Sequence, residues 1–412
     1  NIAQSKELDV NLAWFWAEAE LGLVITALRT IFGLPCPKTG HHLLFDMRFL
    51  ERGRDDSAYI QAVTAFDIRV EGPLRDTELM HHMVAEALPH NETAVCAIYT
   101  GVPYYEAEMN LASMGKKRMD MVPDEIMWPY SAADADVLPR MERALMPIVR
   151  EEGTDWVLEN LTYPMIRFCR RLEARGVPID LEYFDSLCVE YGEATQKAEA
   201  QLWEAVPHHP PGWKYGHSAT LQKVLFQELG LPKSGRKTKG GRGCEDCDVG
   251  TCFVHDQTGK DALADIAVMP GGDHPCIAVL LELKALTKIK STYLDGGAGG
   301  WKRYIQSDGR IHASAKSSRV KTGRLAFENP NVQNPPRGSR FRNIIAGHDP
   351  GKAILQADWS QLELWVIAYW LFEYYGDRTL LATLESGEDV HVITARRVMP
   401  NVDPELTNLE WK

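Results

Sequence analysis

Acidic residues beside short apolar runs are the groups of this 412-residue chain whose type and position could do chemistry. The segment ILQADWSQLELWVIAYW (354–370) places Asp358 where a predicted apolar strand ends and an amphipathic helix begins, with Glu363 near the start of that helix. Asp358 could cap the helix by accepting a hydrogen bond from its free amides, or it could bind a hard cation from a rigid position. The residue types of this segment do not decide between the two interpretations.

Two further acidic positions lie nearer the N-terminus. The segment GHHLLFD (40–46) indicates an apolar strand or the start of a helix, and it ends at Asp46. The segment 130–149 predicts a helix on which Tyr130 and Asp134 lie one turn apart, on one face. A helical Tyr–Asp pair is most often structural, so this spacing alone is a weak indication of chemistry.

Potential metal ligands cluster in the segment GCEDCDVGTCFVH (243–255). The C-x2-C-x4-C-x2-H spacing predicts one tetrahedral zinc ion, and chance clustering of thiols is the alternative. The cluster lies in a polar, glycine-rich insertion (233–273) where a metal could replace a hydrophobic core. The predicted zinc ligands are Cys244, Cys247, Cys252 and His255. The other cysteines are unevenly spaced and no secretory signal is evident, so we expect a reducing, cytoplasmic compartment.

Charge is distributed unevenly along the chain. The formal net charge of −12 argues against a polyanionic partner, but the segment from Lys302 to Arg342 carries ten lysines and arginines against two acids, Asp308 and Glu328. Its interleaved Gly, Ser, Thr and Asn residues can donate to phosphate, so this segment favours a polyanion-binding surface over a solvated loop. No apolar run approaches the roughly 18–20 residues of a membrane helix, so we expect no membrane partner.

Capping residues and helix breakers predict where several elements begin and end. One helix is expected to start at Asp76 or Thr77, another to stop at Gly176, and a third to start at Ser218 or Thr220. After Gly300 the pattern changes from helix to strand. The expected elements are helices within 76–88, 163–180, 218–232 and 274–294, and strands within 309–317 and 352–358.

Several of these segments, taken in order, resemble the family A DNA polymerases, the DNA polymerase I type. The segments that carry the resemblance are SRVKTGRLAFENPNVQNPP (318–336), ADWSQLELWVIAYW (357–370) and GEDVHVITA (387–395). KIKSTYLD (288–295) resembles the thumb of that family, and RLEARGVPID (171–180) resembles the entry to the thumb. GHHLLFD and YSAAD (130–134) are similar to the second and third motifs of its 3′–5′ exonuclease. The likeness is to phage or bacterial members.

The resemblance implies a multidomain α+β or α/β chain that covers part of such an enzyme. Residues 1–150 would be an RNase H-like 3′–5′ exonuclease domain lacking its first motif. Residues 151–300 would be a helical thumb with the Cys-rich insertion 233–273. Residues 301–412 would be the start of the palm, ending before the fingers helix. Because both sites would then be incomplete, we expect the chain to need the remaining polymerase segments or subunits for activity.

The implied activity is template-directed DNA synthesis from deoxynucleoside triphosphates, with two Mg²⁺ ions per active site. Asp358 and the backbone carbonyl of Trp359 would be metal ligands, and the carboxylate of Glu363 would exclude a 2′-hydroxyl from the sugar pocket. In the exonuclease, Asp46 and Asp134 would bind metal and Tyr130 would orient the attacking water. The implied nucleotide-binding residues are Ser360, Gln361, Leu362, Glu363 and His391.

Primer–template DNA is the implied macromolecular partner. Arg324, Gln333 and Asn334 could contact minor-groove acceptors, which are nearly the same for every base pair. Polar groups near the end of the thumb helix suit backbone phosphates. The implied DNA-binding residues are Lys288, Lys290, Ser291, Thr292, Thr322, Arg324, Asn331, Gln333 and Asn334.

The chain departs from the family pattern at two positions, and two other functions remain open. Trp365 stands where the family has Arg, and His42 stands where the exonuclease usually has Asn. The chain could instead be a non-catalytic DNA-binding subunit of a split polymerase. A polymerase that makes RNA is a third reading, and Glu363 as a sugar gate argues against it.

Overall fold

The computed structural model describes residues 18–51, 68–208, 213, 215–237, 256–336, 340–345, 355–387 and 389–398. The chain divides into two compact units, residues 1–350 and 351–412. The predicted zinc ligands Cys244, Cys247, Cys252 and His255 lie outside the described residues. Within the described part of the chain, no helix is both long enough and apolar enough to cross a membrane.

The first unit is mainly helical. Its α-helices are α1 Glu18–Phe32, α2 Leu43–Leu50, α3 Thr77–Val84, α4 Glu92–Tyr99, α5 Ala107–Ala112, α6 Asp124–Glu151, α7 Tyr163–Arg175, α8 Leu181–Ala205, α9 Ser218–Gln222, α10 Lys260–Ala267 and α11 Pro275–Tyr293. A helical turn, Asp155–Val157, and a π-helical turn, Leu158–Thr162, lead into α7, and a second π-helical segment, Lys223–Glu228, follows α9. Short 3₁₀ turns occur at Met119–Met121, Gly297–Gly299, Trp301–Tyr304 and Arg340–Ile344.

Three short two-stranded sheets connect these helices. The strands are β1 Lys38–Gly40, β2 Leu74–Asp76, β3 Val177–Pro178, β4 Arg310–Ile311, β5 Ser314–Lys316 and β6 Ala326–Glu328. β1 and β2 pair in parallel, while the β3–β4 and β5–β6 pairs are antiparallel. The β5–β6 pair forms a hairpin whose loop (317–325) carries the basic segment predicted to bind DNA.

Helix α6 shows how apolar spacing positions an element. Val137, Met141, Leu145 and Val149 recur every four residues and are at most 1% exposed. They form one stripe that joins the core around β1, β2, α2 and α3. Leu138 and Met146 pack against the edge of this core, and Tyr130 and Asp134 lie nearer the start of the same helix.

Two further cores hold the rest of the first unit. One joins α8, α9, α10 and α11 around Leu202, Leu221 and Leu280, each fully buried. The other gathers Trp301, Phe341 and neighbouring side chains around β3 and β4. The base of the β5–β6 hairpin and the last turns of α11 are therefore supported by rigid packing.

The second unit contains α12 Leu362–Tyr375, α13 Thr379–Glu385 and α14 Val390–Val398. Ala368 is the buried residue of α12, whereas Tyr369 and Trp370 are mostly exposed. A Gly376 residue with φ 69° ends α12, as expected of a left-handed C-terminal cap.

Several element predictions are confirmed. The 40–46 segment leads into helix α2, not a strand, and α3 is capped by Asp76, whose side chain accepts a hydrogen bond from the Glu78 amide at 2.9 Å. Gly176, with φ 64°, ends α7 as predicted. The predicted helix within 274–294 and strand pattern within 309–317 are also present.

Two element predictions are wrong. Helix α9 starts after His217 without a side-chain cap, so neither Ser218 nor Thr220 has that role. Residues 355–359 belong to no helix or strand, so Asp358 does not end a strand there. Strand propensity alone does not hold an extended segment without a partner strand.

Candidate active sites and nucleic-acid interface

Asp46 lies on α2 among other charged groups of the first unit. Burial and the neighbouring Asp76 carboxylate raise the pKa of Asp46, His42 lowers it, and the net pKa is about 6. The Asp46 carboxyl group therefore lies close to another negatively charged group.

Asp76 fixes the start of two helices and so positions Asp46. Its buried carboxylate accepts from the amide of Glu78 in α3, and from the amides of His42 at 3.1 Å and Leu43 at 2.8 Å. His42 adopts a left-handed conformation, φ 64°, at the residue before α2. The helix-capping signal identified Asp76 from sequence, but not its second role at α2.

Tyr130 and Asp134 lie on one face of α6, as predicted. The hydroxyl of Tyr105 donates to Asp134 at 2.8 Å, and the ammonium of Lys116 donates to the Tyr130 hydroxyl at 3.3 Å. Burial raises the pKa of Tyr130 to about 12; Lys116 lowers that pKa and Asp134 raises it. Tyr130 is thus a neutral hydrogen-bonding group near Asp134 at physiological pH.

Glu92, at the start of α4, is the residue that the sequence interpretation missed. Burial raises the pKa of Glu92 to about 7, and the charges of Asp134, Glu106 and Asp46 also act on it. One Glu92 carboxylate oxygen is buried without a hydrogen bond. The fold therefore brings Asp46 and Asp134, 88 positions apart in the numbering, into the electrostatic neighbourhood of a third carboxyl group. In sequence Glu92 resembles an ordinary first-turn acid after the Asn91 cap.

The chemistry of these groups fits a hard divalent cation, since they are oxygen donors whose negative charges repel each other. The described residues nevertheless contain no group of three or more His, Cys, Asp or Glu side chains arranged to hold a metal ion. Asp46 and Asp134 could supply only part of a coordination shell in this arrangement.

An open pocket of about 560 Å³ is lined by Glu92 of this cluster and by residues of the β5–β6 hairpin. Glu78 connects the helices to the hairpin. Its carboxylate accepts a hydrogen bond from the His42 ring at 2.7 Å and another from the hydroxyl of Ser318 on the hairpin. Burial alone would raise the pKa of Glu78, but the two hydrogen bonds and the charges of His42 and His41 outweigh burial and lower the pKa to about 2. The lining includes His41, His90, Glu92, Lys316, Arg319 and Lys321.

The hairpin loop presents Thr322 and Arg324 at the surface. Gln333, by contrast, uses its side-chain amide within the hairpin: it accepts from the Phe327 amide at 3.1 Å and donates to the Leu325 carbonyl at 3.0 Å. Asn331 and Asn334 are exposed beside it. An amide side chain has further donor and acceptor capacity, so Gln333 can brace the hairpin and still face a ligand.

The predicted thumb contacts lie in the last turns of α11. Lys290 forms an ion pair with Asp295 at 2.7 Å, and the Ser291 hydroxyl donates to the Lys288 carbonyl at 3.3 Å. Lys288, Lys290, Ser291 and Thr292 therefore occupy one rigid helix end in the first unit.

Part of the positive charge of the 302–342 segment is balanced within the fold. Lys302 pairs with Asp185 at 3.2 Å, and Arg340 pairs with Glu190, both acids of α8. Lys316 and Arg319 share Glu328 on β6. The surface potential is thus weaker than the sequence count of cations suggests.

In the second unit, Asp358 and Trp359 are exposed and lie before α12. The residue that precedes α12 is Gln361, in a left-handed conformation with φ 55°, so the N-cap interpretation of Asp358 is wrong. Glu363 is in the first turn of α12, and Trp365 is 38% exposed. His391 begins α14, and its amide donates to Asp389 at 2.7 Å. The other predicted nucleotide-binding residues directly precede Glu363 in the sequence: Ser360, Gln361 and Leu362.

Comparison with known proteins shows the family of the chain. The model of DNA polymerase family A matches residues 181–409. The DNA polymerase I, thermostable, of Thermus filiformis is 30% identical over 274 residues, which cover 65% of this chain and 29% of that protein. The DNA polymerase I of Chloroflexus aurantiacus is 29% identical over 396 residues, 93% of this chain and 37% of that protein.

A solved structure has the same fold. The chain superposes on the POL domain of Pol1 from M. smegmatis, in complex with DNA primer-template and dNTP, with a TM-score of 0.65 and 22% identity. The match covers 93% of this chain and 58% of that chain. Against the two curated relatives named above, the chain spans about a third of their length.

Proposed function

This chain belongs to DNA polymerase family A, and we propose that it takes part in template-directed DNA synthesis by nucleotidyl transfer. The observation that carries this proposal is the extent of the family match, residues 181–409. That range includes the end of α11, the β5–β6 hairpin and Asp358, which are the predicted DNA-binding and catalytic elements. The alternative is a DNA-binding subunit that performs no catalysis itself.

Each residue has a role in the proposed reaction. Asp358, on an exposed loop of the second unit, would hold one or both Mg²⁺ ions, with the Trp359 carbonyl as a further ligand. Bound Mg²⁺ would supply charge stabilisation at the phosphate oxygens. Glu363, in the first turn of α12, would stand beside the sugar, and His391 would donate to the triphosphate. Arg324 and the end of α11 would hold the primer–template.

Incorporation of a labelled deoxynucleotide opposite its complement tests the proposal. The chain and its Asp358→Asn variant would each be supplied with the remaining polymerase segments and compared, because Asn keeps the size of Asp but removes the charge that binds Mg²⁺. We expect equal binding of primer–template DNA by both, and incorporation that depends on Asp358. Incorporation that is unaffected by the substitution would refute the assignment of Asp358. DNA binding without incorporation would favour the non-catalytic alternative.

We also propose a 3′–5′ exonuclease activity for the first unit, within the 1–150 segment. It is favoured by the electrostatic proximity of Asp46 and Asp134 to Glu92, which the chain brings together from three helices, and by the open pocket that Glu92 shares with the hairpin. Asp46 and Asp134 would bind a divalent cation, and Tyr130 would orient water. When the remaining polymerase segments are supplied, single-stranded DNA labelled at its 5′ end would then be shortened in Mg²⁺.

The exonuclease test needs a control in the same pocket. Asp134→Asn should abolish the shortening, whereas Glu86→Gln should preserve it, since the exposed Glu86 lines the pocket without acting on Glu92. Shortening at equal rates in both variants would point to a contaminating nuclease and against this assignment. The proposed thumb, 151–300, and palm start, 301–412, follow from the same family likeness.

A further inference from the structure

An arginine-lined pocket lies in the first unit, formed by residues other than those assigned to either proposed reaction. It is open, has a volume of about 280 Å³ and is formed where residues 69–71 run beside α7. Its charged lining consists of Glu51, Arg69, Glu71, Arg167, Arg170 and Arg171. We refer to it as the arginine pocket.

Three of these arginines come from one face of α7. Arg167, Arg170 and Arg171 stand at positions i, i+3 and i+4, which are neighbours on a helix surface. Arg69 reaches the same pocket from the strand-like segment before β2. Like charges at this spacing destabilise a helix, so the arrangement costs free energy unless negative charge is bound nearby.

The acids of the pocket balance this charge incompletely. Four arginines and two glutamates line the pocket. Arg170 and Glu51 form an ion pair with a long distance of 3.8 Å. Within residues 18–51, 68–208 and the other described ranges, no carboxylate forms an ion pair with Arg69, Arg167 or Arg171. Arg167 instead donates to the backbone carbonyls of Val70 and Gly72, both at 2.8 Å.

Arg170 is the clearest indication of a ligand. Arg170 is 6% exposed, and its Nε is buried without a hydrogen bond, 3.8 Å from the Glu51 carboxylate, while another nitrogen donates to the Glu51 carbonyl at 3.0 Å. A buried charged donor without a hydrogen bond is costly, because the long ion pair with Glu51 repays its desolvation only in part. An acceptor placed in the pocket would satisfy this group.

We propose that the arginine pocket binds a phosphate group. Guanidinium groups match the geometry of phosphate oxygens and bind them through paired, charge-assisted hydrogen bonds. Arg167 and Arg170 are held in place by backbone carbonyls, so they are oriented before the ligand arrives. Arg69 and Arg171 are exposed and can close on the ligand. The phosphate could belong to a free anion or to a single-stranded DNA backbone, since both offer the same oxygens.

Titration calorimetry with two probes tests the proposal and separates these sources. Inorganic pyrophosphate represents the free anion, and a single-stranded 12-nucleotide DNA represents the backbone. The test variant is Arg69→Gln with Arg171→Gln, which removes two charges but keeps the two arginines that brace the fold. The control is Arg175→Gln, an exposed arginine of the same helix that does not line the pocket.

We expect the double variant to bind at least one probe ten or more times more weakly, and the control to change affinity less than twofold. Weakening with pyrophosphate identifies a free anion, and weakening with DNA alone identifies the backbone. In parallel, the NMR signal of the Arg170 Nε–H group should shift on addition of the bound probe to the unmodified chain. Unchanged affinity for both probes, or an Arg170 signal that neither probe moves, would overturn the proposal.

Discussion

Replacing Glu78 by Gln should loosen the attachment of the β5–β6 hairpin to the helices of the first unit. Glu78 accepts from His42 and from Ser318 of the hairpin, and its pKa is lowered from 4.5 to about 2. Each unit of pKa difference between the folded and unfolded states corresponds to about 1.4 kcal/mol, so the charged form contributes about 3 kcal/mol. Neutralising Glu78 also removes its repulsion of the Asp76 carboxylate, which raises the pKa of Asp76. We therefore expect the free energy of unfolding to fall by a net amount of about 2–3 kcal/mol.

Amide hydrogen exchange across 314–328, followed by mass spectrometry, measures this loss locally. Opening the hairpin breaks the Ser318 hydrogen bond of Glu78 but not its His42 contact; a hydrogen bond to a charged group contributes about 1.5–3 kcal/mol, so hairpin opening should become roughly 10- to 150-fold more frequent. Amides of the first half of α11, whose buried residues Cys276 to Leu283 belong to a separate core, should exchange at unchanged rates. The matched control is Glu86→Gln, because Glu86 lines the same pocket but is exposed.

The effect of Glu78→Gln should depend on pH with a defined sign. Because the folded pKa is depressed, the stabilisation is fully present above the unfolded pKa of 4.5 and is lost as pH falls toward 2. The ratio of exchange rates between variant and unmodified chain should rise slightly from pH 7 to about 5.5, because Asp76, with a pKa of about 6, becomes protonated and no longer offsets the loss. At about pH 3 the ratio should correspond to less than half the free energy. A ratio independent of pH over this range, or hairpin protection unchanged by the substitution, would refute the electrostatic origin of the contact.

Three further outcomes are expected. Arg324→Ala should weaken binding of primer–template DNA without altering sequence preference, and affinity should fall steeply with salt, as measured by fluorescence anisotropy; salt-independent affinity would contradict a phosphate-binding surface. In a polymerase assay, Glu363→Ala should admit ribonucleotides, because it opens space beside the sugar; unchanged sugar discrimination would exclude the gate. Elemental analysis should find about one zinc per chain, lost in Cys247→Ser; zinc-free protein purified without chelators would indicate chance clustering of the thiols.

The sequence by itself determined the local elements and the family. Four-residue spacing of apolar side chains predicts the buried stripe of α6, and the short polar side chain of Asp76 and the glycine at 176 predict a helix start and a helix end. These signals act between near neighbours, so they can be read without the fold. The order of three polymerase segments along the chain likewise identified the family that the comparisons confirm.

Tertiary structure alone decided which distant residues share an environment. Glu92 is an ordinary first-turn acid in the sequence, and it becomes a group with a raised pKa because folding buries it beside Asp134 and Asp46. In the apolar segment before Asp358, by contrast, a local preference for strand is not realised in the fold. Its residue types favour a strand, but a strand forms only with a partner, and residues 355–359 are in no strand.

The arginine pocket is also a product of tertiary structure. Arg167, Arg170 and Arg171 are visible in the sequence as a basic stretch of a helix, which is usually a solvated face. Only the packing of α7 against residues 69–71 buries Arg170 and adds Arg69 to the same pocket. Local sequence sets the spacing of charges along a helix or strand. Tertiary packing sets how far each charge is exposed to solvent and which residues from distant parts of the sequence become its partners.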